Sequence, residues 1–305
     1  MDAMETKLFR KLDDYEKNDE FIAVESRTFL QSVWHDFTGN KRAVAGAIIL
    51  IIVVLMAIFG PMMCKYSYAE QNMSLRNASP SMDHWFGTDR MGRDIFVRIL
   101  FGARISLAVG CLAAVINLIV GTIYGGIAGY VGGKVDMVMM RIVDIIYSVP
   151  AMLYIVLIML IFGASVISIM LGISITCWID MARIVRQQVK SLKEQEFTMA
   201  AFVLGASPSR ILIKHLLINT MGQIIVTVTL MVPQAIFTEA WLSFLGVGIS
   251  APMASWGTLA QDARQLIMTY PMQTVYPMIA ICITIFSFNF VGEGLEKALD
   301  PKRKR

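Results

Sequence analysis

The chain has 305 residues, of which 56% are hydrophobic and only 16% are charged. A soluble domain carries about a quarter charged residues, so this composition disfavours one or two water-soluble domains. The net charge of +4 gives no support to a nucleic-acid partner. Of the 27 basic and 23 acidic side chains, 16 lie within the first 42 positions, which leaves the rest of the chain still poorer in charge.

Five stretches lack Asp, Glu, Lys and Arg and are long enough for a membrane-spanning helix, which needs roughly 20 apolar residues. The third of them is long enough for two helices, with a predicted turn at its Gly-Ala-Ser sequence. We therefore predict an all-α membrane protein with six transmembrane helices. The stretches are 43–64, 105–133, 145–179 with its turn at 163–165, 216–238 and 265–292.

The Lys and Arg residues near the span ends predict that both termini are cytoplasmic. In that orientation the inner segments carry 20 basic residues and the outer segments carry 7. The exception is the first outer loop, residues 65–104, which alone holds 6 of those 7. Membrane orientation does not explain this loop.

The second span carries Gly121, Gly125 and Gly129 at intervals of four residues. Such a stripe lets another helix backbone approach closely, so we predict a helix-packing face and not a chemical site. Pro150 and Pro233 lie inside predicted spans, where each removes a helix hydrogen bond and favours a kink.

Five charged residues lie within or beside the predicted spans. Because each is near a span end, we expect them to reach the membrane interface, where a charge costs less than at the bilayer centre. The first two are three residues apart on a helix and could form an ion pair. The five are Arg141, Asp144, Asp180, Glu239 and Glu293.

The longest inner connection after the N-terminal tail joins the fourth and fifth spans, and its composition is not that of a flexible linker. Phe197, Ala201 and Leu204 recur there at helical spacing. Gly205 fits the left-handed residue that ends a helix, and Ser207 before a proline fits the N-cap of the next one. The pattern predicts a short helix outside the membrane that leads directly into the fifth span.

This connection resembles the EAA loop of ABC importer permeases, through EFTMAA at 196–201, GAS at 205–207 and His215. In that family the loop forms a coupling helix that docks into a groove of the ATPase subunit. One departure is Ile218, which stands where the family usually has proline. The resemblance implies ATPase coupling through Glu196, Phe197, Ala200, Ala201, Leu204, Gly205 and Ser207.

The basic outer loop contains FGTDRMGRD at 86–94, which resembles the GTDxxGRD signature of the second permease subunit in peptide and nickel importers. Its two Asp residues alternate with two Arg residues, so the loop is expected to be internally paired and folded. The residue types alone would favour a solvated turn. The resemblance assigns the motif to Gly87, Thr88, Asp89, Gly92, Arg93 and Asp94.

Two further stretches resemble the same family, one before the last span and one at the C-terminal end. The resemblance implies the type I ABC importer permease fold from about residue 85 onward. The tail holds a possible helix at about 26–37, interfacial or in contact with an ATPase, or is simply solvated. The predicted division is a cytoplasmic tail 1–42, a first helix 43–64, an extracellular loop 65–104, a five-helix core 105–293 with its coupling loop 191–219, and a basic cytoplasmic tail 294–305.

The resemblance implies a permease subunit of a bacterial ABC importer of the dipeptide, oligopeptide and nickel group, located in the inner membrane. The implied partners are a sister permease subunit, two ABC ATPase subunits, an extracellular or periplasmic substrate-binding protein, the lipid bilayer and a peptide substrate, with no nucleic acid. The sequence has no GxxxxGK[ST] phosphate loop. We therefore expect no cofactor on this chain and assign ATP and Mg²⁺ to the partner subunits.

Peptide is preferred over nickel because no His, Cys, Asp and Glu cluster offers a metal site; a nickel importer permease remains the alternative. An ATPase-independent channel or membrane scaffold would also fit six apolar spans. Uncharged polar residues within the spans could line an alternating-access pathway, although such residues also join helix to helix. The candidates are Asn117, Gln223, Thr227 and Gln234.

Overall fold

The computed structural model describes residues 28–249 and 252–300. Within these residues the chain is helical almost throughout, and an isolated bridge between Thr88 and Asp94 is the one β-type pairing. Five described helices are long and apolar enough to cross a membrane, and a sharply bent helix pair supplies a sixth span. The predicted all-α architecture with six spans is confirmed, while the orientation of the termini stays a prediction.

Ten helices follow one another along the described chain. The first turns of α8, Ile211–Leu217, are π-helical. The spans are α2, α3, α6, α8, α10 and the pair α4 with α5. The helices are α1 (Phe29–Gly39), α2 (Lys41–Met63), α3 (Ile95–Val131), α4 (Gly133–Ser148), α5 (Ala151–Phe162), α6 (Val166–Lys193), α7 (Glu196–Val203), α8 (Pro208–Phe244), α9 (Trp256–Ala263) and α10 (Pro271–Leu299).

The helix α3 begins at Ile95, ten residues before the charge-free stretch on which its prediction was based. The carboxylate of Asp94 caps it by accepting a hydrogen bond from the backbone N–H of Val97 at 2.8 Å. Part of the predicted outer loop is therefore helix. The search for charge-free residues missed this part because Arg98 and Arg104 lie on it.

Arg104 holds α3 against a proline-containing turn of α2. Pro61 has no N–H to donate to the carbonyl of Ala57 four residues earlier. Arg104 Nε donates to that carbonyl oxygen at 2.5 Å, and its Nη2 donates to the carbonyl of Ile58 at 2.5 Å. The guanidinium thus satisfies a backbone group that the proline leaves free.

The predicted turn at 163–165 is confirmed, but the span before it is broken. The chain bends by 78° between α4 and α5, at Pro150, whose extended backbone (ψ 130°) cannot continue a helix. The helix α5 has only 12 residues, too few to cross a bilayer alone. In contrast, Pro233 lies within the continuous helix α8.

The glycine stripe of α3 packs against α6, as its spacing predicts. A Cβ added to Gly121 would lie 2.5 Å from the Cβ of Met181, and one added to Gly125 would overlap the carbonyl of Ala182. The same face at Gly129 meets the carbonyl of Arg186, farther along α6. Contacts advance in the same direction on both helices, so α3 and α6 run parallel.

One of the five charged residues does not reach an interface, contrary to our expectation. Glu239 is fully buried and accepts hydrogen bonds from the hydroxyls of Ser243 at 2.8 Å and Ser106 at 3.1 Å. Asp180 is exposed, and the part of α6 that follows it carries four basic residues, so its expected place near the interface stays a prediction. The possible ion pair between Arg141 and Asp144 does not form, because Asp144 pairs with Arg183 of α6 at 3.0 Å.

Candidate functional site

The short helix α7 lies outside the spans and is held to the bundle along one face. The Thr198 hydroxyl donates to the carbonyl of Leu192 at the end of α6, at 2.8 Å. The small side chain of Ala201 is buried in an apolar cluster that includes Val189 of α6 and Ile211 of α8. The helix is therefore fixed to both of the spans that it connects.

The rest of α7 presents an apolar surface to its surroundings. Leu204, directly after the helix, is 86% exposed. A contiguous exposed apolar patch on a small element is typical of a protein–protein contact. We call these residues the α7 surface: Phe197, Met199, Phe202, Val203 and Leu204.

The predicted coupling residues lie together on and beside this helix, and all but one are exposed. Ala201 is buried and serves as the anchor. Sequence reasoning missed Met199, Phe202 and Val203, because it looked for a single apolar stripe. An eight-residue helix attached by Thr198 and Ala201 exposes more than one stripe. The exposed members of the predicted set are Glu196, Phe197, Ala200, Leu204, Gly205 and Ser207.

The connection from α7 to α8 is short and well ordered by backbone hydrogen bonds. Gly205 has φ +82°, and its N–H donates to the carbonyl of Phe202 at 3.0 Å while that of Ala206 donates to Ala201 at 3.0 Å. Pro208 then begins α8. Ile218 has φ −62°, a helical value that a proline could also adopt. A displacement of α7 would therefore act directly on α8.

The GTDxxGRD-like motif forms a folded unit at the opposite end of α8. The carboxylate of Asp89 accepts hydrogen bonds from the backbone N–H groups of Met91 at 2.8 Å and Arg93 at 3.0 Å. It also pairs with the guanidinium groups of Arg93 at 2.7 Å and Arg98 at 2.6 Å. Asp89 thus binds both its own loop and the first turns of α3.

Asp262 of α9 completes this cluster from a distant part of the chain. It pairs with Arg93 at 3.1 Å, Arg98 at 3.3 Å and Arg90 at 3.5 Å. Burial raises the pKa of the Asp89 carboxyl, but the Arg93 backbone hydrogen bond and the charges of Arg98 and Arg93 outweigh it and hold the pKa below its usual range. We call Asp89, Arg93, Arg98 and Asp262 the motif cluster.

The loop is internally paired and folded, as predicted, although among the four alternating charged residues of the motif only Asp89 and Arg93 pair with each other. Asp94 pairs with the ring of His84 at 2.7 Å, and Arg90 pairs outside the loop with Asp262. Sequence reasoning missed His84, Arg98 and Asp262, because none of them stands within the motif. All six predicted motif residues nevertheless lie together: Gly87, Thr88, Asp89, Gly92, Arg93 and Asp94.

Three of the four predicted pathway residues line one cavity among α6, α8 and α10, with a volume of about 280 Å³. Asn117 is not among them, because it is 1% exposed and stands one turn before Gly121 on the face of α3 that packs against α6. We call this space the polar cavity. Its polar lining residues are Asp180, Gln223, Thr227, Gln234 and Glu296.

The chain matches two described protein families. The family described as "Binding-protein-dependent transport system inner membrane component" matches residues 121–305. The "N-terminal TM domain of oligopeptide transport permease C" matches residues 28–80. The two matches together include α1, α2, most of the membrane core, α7 and the polar cavity.

Several characterised relatives are similar over nearly their whole length. The chain is 50% identical to the oligopeptide transport system permease protein OppC of Bacillus subtilis, over 90% of this chain and 91% of the relative. It is 46% identical to the dipeptide transport system permease protein DppC of the same organism, over 95% and 92%. OppC of Escherichia coli is 42% identical, over 93% and 94%. The chain therefore belongs to the family of binding-protein-dependent transport system inner membrane components, as a multi-pass membrane permease.

Proposed function

We propose that this chain is a permease subunit of an ATP-driven importer of dipeptides and oligopeptides. Its relatives carry the names of oligopeptide and dipeptide permeases, which favours peptide over nickel as the substrate. The proposed assembly contains a sister permease, two ATPase subunits that bind ATP and Mg²⁺, and a substrate-binding protein outside the membrane.

The observation that carries the proposal is the α7 surface. It is apolar, exposed and anchored to α6 and α8 at once. A channel or scaffold without an ATPase has no need for such a helix at this place. In the proposed mechanism, ATP-driven closure of the ATPase subunits moves α7, and Gly205 and Pro208 transmit the movement to α8, which lines the polar cavity.

The motif cluster has a different part in this mechanism. It joins the loop after α2, the start of α3 and α9 into one rigid unit. Such a unit can provide a stable surface for the substrate-binding protein. Its buried ion pairs are occupied with one another, so we assign it a structural role and not substrate contact.

The proposal is tested by peptide uptake into proteoliposomes that contain this chain, the sister permease and the ATPase subunits. A labelled tripeptide should accumulate only when ATP and the loaded substrate-binding protein are both supplied, each on its own side of the membrane. Omission of the ATPase subunits is the control. Uptake that persists without the ATPase subunits would show that the chain is an ATPase-independent channel instead.

A further inference from the structure

One acidic side chain in the membrane part of the molecule has no countercharge. Asp180 lies on α6, three residues before the first of the four basic side chains at the end of this helix, and its own side chain is exposed in the isolated chain. Among the described residues, no Lys or Arg lies within ion-pair distance of it, in contrast to Asp136 and Asp144 on α4, which pair with Arg186 and Arg183.

The surroundings of Asp180 within the bundle are polar. Charged side chains of membrane-spanning helices face a bundle interior or a water-filled cavity instead of lipid. Asp180 meets this condition because it lines the polar cavity among α6, α8 and α10. The carboxylate is thus available to a cation that enters the cavity.

The facing wall of the cavity is suited to a peptide backbone. Gln223, Thr227 and Gln234 all lie on α8 and all line the cavity. Primary amides can donate to carbonyl groups and accept from N–H groups, so they can bind a peptide regardless of its side chains. At 1.5 Å per residue, the two glutamines are about 16 Å apart along the helix axis. An extended peptide of about five residues has that length.

The charge of the cavity selects one end of such a peptide. Its charged lining residues are Asp180 and Glu296, both acidic, and no basic residue lines it. A peptide carries an ammonium group at its N-terminus whatever its sequence. Hydrogen bonds between charged groups are about twice as strong as neutral ones, so a single carboxylate can recognise peptides of many sequences.

We infer that Asp180 binds the α-ammonium group of the transported peptide in the polar cavity, while Gln223 and Gln234 hydrogen-bond to its backbone. This inference rests on the proposed function and adds to it the group of the substrate that this chain recognises.

The test compares two substrates in the reconstituted importer described above. One is tri-alanine, and the other is its analogue without the α-amino group, which has the same length and side chains. Binding of both to the substrate-binding protein is measured first, and each is supplied at half-saturation. The substrate-binding protein is the same in every assay. If a variant changes the ratio of the two uptake rates, that change therefore comes from this chain.

The variants are Asp180→Asn, Asp180→Glu and the control Asp144→Asn, which changes a carboxylate outside the cavity. Asp180→Asn should lower uptake of tri-alanine about 10-fold, the effect of losing one hydrogen bond between charged groups, and leave uptake of the amine-free analogue unchanged. Asp180→Glu should restore most of the preference for the free amine. Asp144→Asn should behave as the wild type. ATP hydrolysis stimulated by the loaded substrate-binding protein should persist in all variants, which shows that the complex is assembled.

Three results would overturn the inference. Uptake of both substrates could fall equally in Asp180→Asn, uptake of neither could change, or removal of a basic side chain of the sister permease could restore Asp180→Asn. The last result would identify Asp180 as half of an intersubunit ion pair. Failure of the proposed function looks different, because the wild-type importer would then accumulate no peptide with ATP.

Discussion

At the scale of single residues, the outer loop depends on backbone conformations that only glycine can adopt at low cost. Gly92 has φ +69°, and a Cβ there would overlap the carbonyl of Asn72. Gly205 has a similar φ of +82° but nothing within 4 Å of an added Cβ. The two glycines therefore separate the cost of the backbone conformation from the cost of a steric overlap.

We expect Gly92→Ala to destabilise the protein more than Gly205→Ala. The left-handed conformation costs a non-glycine residue about 1–2 kcal/mol at either position. At Gly92 the overlap should add about 1–3 kcal/mol, because the backbone near Asn72 must shift. Thermal unfolding of the two variants in the same detergent measures the difference, and equal melting temperatures would contradict the structure.

The motif cluster gives a second prediction at this scale. Asp89→Asn removes a charge that faces both Arg93 and Arg98, so it should cost about 3–5 kcal/mol, the usual effect of breaking a buried ion pair. The exposed pair of Lys65 with Asp83 provides the control, because Asp83→Asn should leave stability nearly unchanged. The measurement is the free energy of unfolding by denaturant, determined for the two variants and the wild type.

Acid should weaken the same cluster in a defined direction. The pKa of Asp89 is lower in the folded protein than in the unfolded chain, so its contribution to stability is fully present above the ordinary carboxyl pKa. That contribution is lost as pH falls through the lower, folded value. The loss of stability between neutral pH and strong acid should therefore be smaller in Asp89→Asn than in the wild type.

At the scale of elements, α7 is the part of the chain that we propose contacts the ATPase. Leu204→Asp places a charge in an apolar surface and should abolish co-purification of the ATPase subunits with the permease. Met82→Glu is the control, because Met82 is equally exposed and apolar but lies in the loop after α2, at the opposite end of α8. Normal recovery of the ATPase with Leu204→Asp would place the contact elsewhere.

The turn between α7 and α8 allows a graded test of coupling. Gly205 has φ +82° and open space around it, so a substitution acts through backbone conformation alone. Asn adopts the left-handed region more readily than β-branched residues do. Gly205→Val should therefore reduce uptake strongly and Gly205→Asn only mildly, with ATPase recovery intact in both. Equal uptake by the two variants would mean that the turn does not transmit movement.

How far each element could be predicted depends on the distance of its determinants along the chain. The glycine stripe of α3, the turn at 163–165 and the end of α7 at Gly205 follow from local sequence. The start of α3 was placed too late because it carries Arg98 and Arg104, which are satisfied partly by Asp262 and by carbonyl groups of α2, both distant along the chain. The apolar stretch that ends at residue 179 does not show that α6 continues as a helix to Lys193.

At the scale of the whole molecule, the structure reconciles the basic outer loop with the orientation predicted from charge. Of its six basic residues, Lys65, Arg90, Arg93 and Arg98 form ion pairs at this end of the bundle. Arg104 instead binds backbone carbonyls of α2. These charges belong to a folded unit, so they influence the membrane orientation less than the basic residues near α7 and the C-terminus do.

This reasoning predicts that the motif cluster faces the outside of the cell and that α7 faces the cytoplasm. In a variant whose four cysteines are replaced by serine, Met82→Cys should react with a membrane-impermeant maleimide in intact cells. Ser209→Cys, exposed beside α7, should react only after the membrane is permeabilised. The reverse pattern would mean that the orientation is inverted and that α7 lies where no ATPase could reach it. Labelling of both positions in intact cells would mean that the two residues do not lie on opposite sides of the membrane.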